Sequence, residues 1–211
     1  MVRWFEAAVS AVLKHPVVIR VKAVVRDVTW RIAPPAVGNP PLPERVDAVI
    51  FVCLGNICRS PFAGLLAERR LTETPGMQTV ARSAGIKTTQ SARSPREAVD
   101  AAAPYGVSLE LHRPVTLSAE LLAAHDLVVV MEAAQMQQLR RTYPQWAERI
   151  VLLPLFDPDA SGDARYHIDD PFMQPPEAFA ACYRRIDRAV TSLCRSLGGR
   201  MTPAGLKEHQ C

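Results

Sequence analysis

Long hydrophobic runs are missing from this chain. No stretch approaches the ~18–20 consecutive apolar residues that span a bilayer. The nearest signal-like run, residues 7–13, is short, follows Glu6 instead of a basic segment, and precedes no small-residue cleavage site. Cysteine is scarce as well. The five present (Cys53, Cys58, Cys182, Cys194, Cys211) are an odd number and lack the spacing of a secreted disulfide framework or a zinc site. Free thiols of this kind suit a reducing compartment, so a cytoplasmic protein is expected. Internal repeats and low-complexity tracts are absent, and glycine and proline show no period. An overall excess of one charge sign is missing too. The net charge of +4 is accounted for by residues 1–32, where six basic side chains face two acidic ones. The remainder is balanced, which argues against a nucleic-acid binder.

What is present is organised. A chain of 211 residues allows one ordinary domain plus an appendage. Val17, Val21, Val24, Val25, Val28 and Ile32 fall at helical spacing, with Arg20, Lys22, Arg26 and Arg31 among them. A proline-rich stretch over 33–43 follows and reads as a semi-rigid linker. The expected layout is therefore a basic amphipathic extension and linker over 1–43, a compact domain over 44–200 and a flexible tail over 201–211. Within the domain, short apolar runs at 48–52, 79–83, 127–131 and 150–153 have the character of buried strands. Between them lie helical patterns at 61–72, 95–103, 118–124 and 133–143, and a long amphipathic helix over 176–197 closes the domain. Buried strands alternating with helices predict a parallel sheet covered on both faces, an α/β fold. In such sheets the site lies at the carboxyl ends of the strands, which directs attention to the residues after Val52.

Those residues are Cys53-Leu54-Gly55-Asn56-Ile57-Cys58-Arg59-Ser60-Pro61. Leaving a buried strand and entering a helix, they suit an anion cradle. Gly55 permits a positive φ that turns successive backbone N–H groups inward. Ser60 is expected to cap the helix and Pro61 to fit its first position, aiming the positive end of the helix dipole at the loop. Arg59 can fork two hydrogen bonds onto phosphate oxygens. Helix N-termini and nearby cations bring a thiol from about 8.5 to roughly 3.5–7.5, so a cysteine at the mouth of such a ring becomes a nucleophile at neutral pH. A lone cysteine ending a strand would be read as a small buried residue. A Cys with an Arg six positions later, Gly between and Ser-Pro behind is far more specific.

The signature from Val52 to Pro61 resembles that of the low-molecular-weight protein-tyrosine phosphatases. The similarity continues through Ser83-Ala84-Gly85, His112, the run from Asp126 to Glu132, and Asp170-Pro171-Phe172. It implies a three-layer α/β/α fold with a central four-stranded parallel sheet, no metal or cofactor, and hydrolysis of phosphotyrosyl proteins through a phosphocysteine. Cys53 would be the nucleophile, Arg59 the phosphate clamp, and Leu54, Gly55, Asn56, Ile57, Cys58 and Ser60 the rest of the phosphate-binding loop. Of the carboxyls in the loop from Asp157 to Asp170, Asp170 fits the general acid because Pro171 and the aromatic Phe172 follow it. Asp157 is the second choice, and Asp157, Asp159, Asp163 and Asp169 otherwise read as a solvated acidic loop. Ser83 and His112, with Asn56 and Ser60, match positions that brace the loop. By the same resemblance Cys58 would be a resolving thiol, its alternative being a plain buried thiol. Cys182 and Cys194 read as core, and Cys211 has no prenylation pattern.

The chain departs from the family pattern at three places. Thr89 stands where an aromatic pocket wall is usual, Phe172-Met173 replaces an aromatic pair, and Gly64 replaces a glutamate. The extension has no counterpart in the resemblance. Its basic amphipathic stretch over 17–32 could dock on an anionic membrane surface or a partner protein, or pack back on the domain. Two other functions share parts of the pattern. An arsenate reductase of this fold needs further cysteines about residues 88–104, and there are none. A non-catalytic phosphoprotein-binding module would have no need of Cys53, Arg59 and Asp170 together.

Overall fold

The computed structural model describes residues 37–199, apart from Gln90. The basic stretch over 17–32 and the tail over 201–211 lie outside the described residues. Four strands form one parallel sheet, β1 (Ala48–Cys53), β2 (Val80–Gly85), β3 (Leu127–Val130) and β4 (Ile150–Leu152), in the order β2-β1-β3-β4. Among the described residues five α-helices accompany them: α1 (Arg59–Thr72), α2 (Arg96–Ala102), α3 (Ala119–Ala123), α4 (Ala133–Thr142) and α5 (Pro176–Gly198).

Alternation along the strands divides the core between two faces. Val49, Phe51 and Cys53 of β1, Leu127 and Val129 of β3, and Val151 of β4 join Phe62, Leu66 and Leu71 of α1 and Tyr183, Ile186 and Val190 of α5 in one cluster. Ile50, Val52, Val128, Val130, Ile150 and Leu152 are equally buried outside that cluster, as are Met136 and Leu139 of α4, which packs on β3 and β4. Burial of β1, β3 and β4 on both faces explains their continuous apolar runs, while β2 at the sheet edge leaves Val80 and Arg82 exposed. The expected α/β/α layering is what the chain adopts.

Local chemistry moves several element ends. Thr79 does not start β2, because its hydroxyl donates to the Val46 carbonyl at 2.6 Å. Met131 leaves β3 when its N–H is taken by Gln135 Oε1 at 3.0 Å. After Leu152 the chain tightens into a 3₁₀ turn with Pro154 in its first positions. The compact unit begins at Val37. Asn39, inside the stretch read as linker, donates to the Leu152 carbonyl at 3.1 Å and accepts from the Leu152 N–H at 2.6 Å, closing the outer edge of β4. Leu42 and Val46 are buried behind it. None of the described helices is long and apolar enough to cross a membrane.

Candidate active site

Cys53 ends β1, and the chain turns through residues 54–58 into α1. The turn is made differently from the expectation. The positive φ falls on Asn56 (53°), a residue type that tolerates it, and not on Gly55. Asn56 is fully buried and fixed at every polar atom. Its Nδ2 donates to Ser60 Oγ at 2.9 Å and Ser83 Oγ at 3.0 Å, its Oδ1 accepts from the Val115 N–H at 2.8 Å, and its carbonyl accepts from His112 Nε2 at 2.8 Å. Its own N–H points at Cys53 Sγ, 3.3 Å away. Ser60 does not cap α1 and Pro61 is the third helical residue; Cys58 is the N-cap, without a side-chain hydrogen bond. The Ser60 hydroxyl instead contacts Cys53 Sγ at 3.0 Å and the Ala84 carbonyl at 3.1 Å. The cap is given up in favour of the Cys53 contact, and the first helical N–H groups stay unfilled. Among the described residues the backbone N–H groups of Gly55, Ile57 and Cys58 have no protein acceptor either.

Arg59 is 1% exposed although charged. Its Nη1 donates to Glu132 Oε1 at 2.5 Å and to the Ile168 carbonyl at 2.9 Å, and its Nη2 to Asp170 Oδ2 at 2.7 Å. Burial alone would weaken its hold on the proton, but Asp170 and Glu132 outweigh this and keep it cationic. A guanidinium has five donors. The buried Nε has no protein acceptor, so one donor on Nε and one on Nη2 remain for an anion. Glu132 had no role in the sequence reading. It lies two residues past β3, and β3 lies beside β1, so an acid just beyond that strand end was the available signal. Gln135 Nε2 steadies it at 3.0 Å.

The loop from Asp157 to Asp170 separates its carboxyls sharply. Asp170 is half-exposed, paired with Arg59, and its Oδ1 accepts from the Phe172 N–H at 3.2 Å. Asp157 is neither an acid for this site nor a solvated loop residue. Its side chain is fully buried, with Arg188 at 2.8 Å and Arg185 at 3.4 Å. Asp159 pairs with Arg188 at 3.0 Å, and Asp169 meets His167 at 3.3 Å. Phe172 and Met173 follow Asp170 and are exposed, Met173 with a positive φ of 63°. Thr89 is exposed two residues past Lys87, whose N–H donates to the Leu54 carbonyl at 2.8 Å, and makes no side-chain hydrogen bond among the described residues.

Behind the loop, Tyr183 donates its hydroxyl to the Cys58 carbonyl at 3.1 Å and stacks on Phe62 at 3.9 Å between ring centroids. Burial pushes the Cys58 and Cys182 thiols upward, and Cys194 up to about 11, so all three are protonated near neutrality. Cys182 and Cys194 are core residues, as expected. His112 is held below its ordinary value, by burial first and also by the neighbouring Arg113, against the opposing pull of its bond to Asn56.

A thiol at a strand end, unfilled backbone donors and a buried arginine between carboxylates lie together at the end of β1, an arrangement chemically able to hold an anion. The profile of a family described as low molecular weight phosphotyrosine protein phosphatase matches residues 48–202, from the first residue of β1 onward. The chain belongs to that family. It is a hydrolase, a cysteine-based phosphatase. It is 31% identical over 153 residues to the low molecular weight protein-tyrosine-phosphatase Etp of Escherichia coli K12, covering 72% of this chain and 96% of Etp. The tyrosine phosphatase Wzb of Escherichia coli K30, solved with sulphate, superposes with a TM-score of 0.64 at 27% identity, covering 72% of this chain and 99% of Wzb. The YwlE arginine phosphatase of Geobacillus stearothermophilus gives 0.63 at 25% identity, covering 78% and 98%. Phosphatases of this family therefore share the layering described above and differ in the substrates their names record.

Proposed function

We propose that this phosphatase hydrolyses phosphotyrosine in proteins, with Cys53 as nucleophile, Arg59 as phosphate clamp and Asp170 as general acid and base. The observation that carries this reading is that Cys53 and Arg59 share one turn, where Arg59 meets Asp170 from 111 positions further along the chain. Asn56 N–H lies 3.3 Å from Cys53 Sγ, while Arg59, in the same turn, meets Asp170 at 2.7 Å. Cys53 Sγ attacks phosphorus in line, forming the S–P bond as the P–O bond to the leaving group breaks. The loop N–H groups with the Nε and Nη2 donors of Arg59 hold the equatorial oxygens. The half-exposed Asp170 carboxyl, beside the Arg59 that holds the phosphate, faces the leaving oxygen. Asp170 passes a proton to that phenolic oxygen, whose parent acid has a pKa of about 10. In the second half Asp170 takes a proton from water, the water oxygen attacks the phosphocysteine, and the S–P bond breaks to release phosphate.

Four described cysteines are free, which supports a reducing, cytoplasmic setting for the Cys53 nucleophile. The Etp and Wzb names support phosphotyrosine, and Phe172 at 41% exposure offers an aryl wall beside Asp170. The test compares hydrolysis of phosphotyrosine, phosphoserine, phosphothreonine and phosphoarginine peptides. Phosphotyrosine should be turned over best, Cys53→Ser should be inactive, and Asp170→Asn should slow turnover about 10²–10⁴-fold. Preferential release of phosphate from the phosphoarginine peptide would refute the substrate assignment, and full activity in Cys53→Ser would refute the mechanism.

A further inference from the structure

The mouth of the phosphate loop has a second wall, opposite in character to the one after Asp170. Two loop carbonyls are held by neighbouring segments, Leu54 O by the Lys87 N–H and Asn56 O by His112 Nε2, both at 2.8 Å. These segments are themselves joined. Gly85 N–H donates to Val115 O at 2.8 Å, Leu117 N–H donates to Gly85 O at 2.8 Å, and the Thr88 and Thr116 hydroxyls meet at 2.5 Å. Residues 111–116 and 85–88 are thus one surface anchored on the loop.

Apart from Thr116, its exposed side chains are apolar or cationic. Leu111 is 85% exposed and Val115 44%, next to Leu54 at 49%. Among the described residues neither Lys87 nor Arg113 forms an ion pair; Arg113 donates Nη1 to the Leu111 and His112 carbonyls at 3.2 and 3.0 Å. Glu110 is exposed and forms no ion pair with either among the described residues. The Asp170 segment carries two partly exposed carboxylates, Asp169 beside His167 and Asp170 beside Arg59. A bound protein segment therefore meets a field running from cationic at Lys87 and Arg113 to anionic at Asp169.

We propose that Lys87 and Arg113 are specificity-determining residues that select substrates carrying an acidic side chain beside the phosphorylated residue, with Leu111 covering the adjacent apolar surface of the substrate. The proposal rests on the phosphotyrosyl-protein reading above. Two cations without a carboxylate partner among the described residues act twice beside the proposed phosphate loop, raising the encounter rate with acidic segments and disfavouring basic ones.

The test uses the full chain and two phosphotyrosine peptides identical except for one residue next to the phosphotyrosine, Glu in one and Lys in the other. The readout is the ratio of their kcat/KM values within each variant, which cancels any general change in activity. The unsubstituted protein should prefer the Glu peptide by about three- to tenfold, the scale of one or two exposed ion pairs. That preference should shrink as salt is raised from 0.05 to 0.5 M, where the Debye length is only a few ångströms by order of magnitude. Arg113→Glu or Lys87→Glu should pull the ratio to one or below, while Arg113→Lys restores it. Hydrolysis of both peptides with a ratio near one, or a ratio unmoved by either reversal, would overturn the second wall alone. Hydrolysis of neither, with p-nitrophenyl phosphate still turned over, would overturn the phosphotyrosyl-protein reading and this proposal with it.

Discussion

Asp157 and Asp170 each precede a proline, yet their surroundings assign them opposite work. For Asp157, burial would raise the proton affinity, but hydrogen bonds from Arg188 and the Asp159 N–H, with the charges of Arg188 and Arg185, outweigh it. Its carboxyl is held below the ordinary 3.8. The stability this contributes is complete above that value and is lost as pH falls through the lower folded one, because the unfolded chain then binds the proton first. Asp157→Asn should cost about 3 kcal/mol in urea unfolding at pH 7, as expected for opening a buried pair, and should flatten the loss of stability below pH 4. Glu132 acts on the chemistry through Arg59. Glu132→Gln leaves the side chain's volume but removes the charge that fixes Nη1, and kcat/KM for p-nitrophenyl phosphate should fall by about 10²-fold while Glu132→Asp retains part of it. His112 adds a smaller acid sensitivity. With its folded value lowered, its contribution is complete above 6.5 and declines as the pH drops below that.

At the scale of elements, the junction of β1, β2 and α1 tolerates very little side-chain bulk. A Cβ on Gly85 would lie 2.7 Å from Thr88 Cγ2 and 2.9 Å from both Asn56 N and Leu54 O. Two of those neighbours are backbone of the phosphate loop and cannot move without tilting its N–H groups. Gly85→Ala should therefore lower kcat/KM by about 10²-fold and destabilise by about 1–3 kcal/mol, the first readout separating loop distortion from simple overpacking. Gly64 has a related explanation. A Cβ there would sit 3.1 Å from the Arg82 carbonyl oxygen, so α1 lies too close to β2 for the glutamate that the resemblance leads one to expect. That close approach brings Ser83 within reach of Asn56.

Across the whole molecule, the sheet brings the ends of β1 and β3 together and the closing helix clamps them from behind. The Tyr183 hydroxyl reaches the Cys58 carbonyl across 125 positions of sequence, and Phe62 and Tyr183 stack between α1 and α5. The segment before β1 belongs to this body through Asn39 and Leu42. A chain beginning at Glu44 should unfold at lower urea than one beginning at Val37, with a loss of about 2–3 kcal/mol from two hydrogen bonds and one buried leucine.

The amino-acid sequence by itself determined the strands, the helices and the phosphate loop, because hydrophobic period and turn chemistry are local properties. A run such as Val49-Ile50-Phe51-Val52 can only be buried, and Cys53 through Arg59 carry their spacing with them. Partners distant in sequence were decided only by the tertiary structure. Whether Ser60 caps a helix or touches Cys53 depends on Asn56 and Ala84 being within reach. The split between Asp157 and Asp170 depends on which arginines the folded chain delivers, since a carboxylate takes its character from the charges and solvent around it.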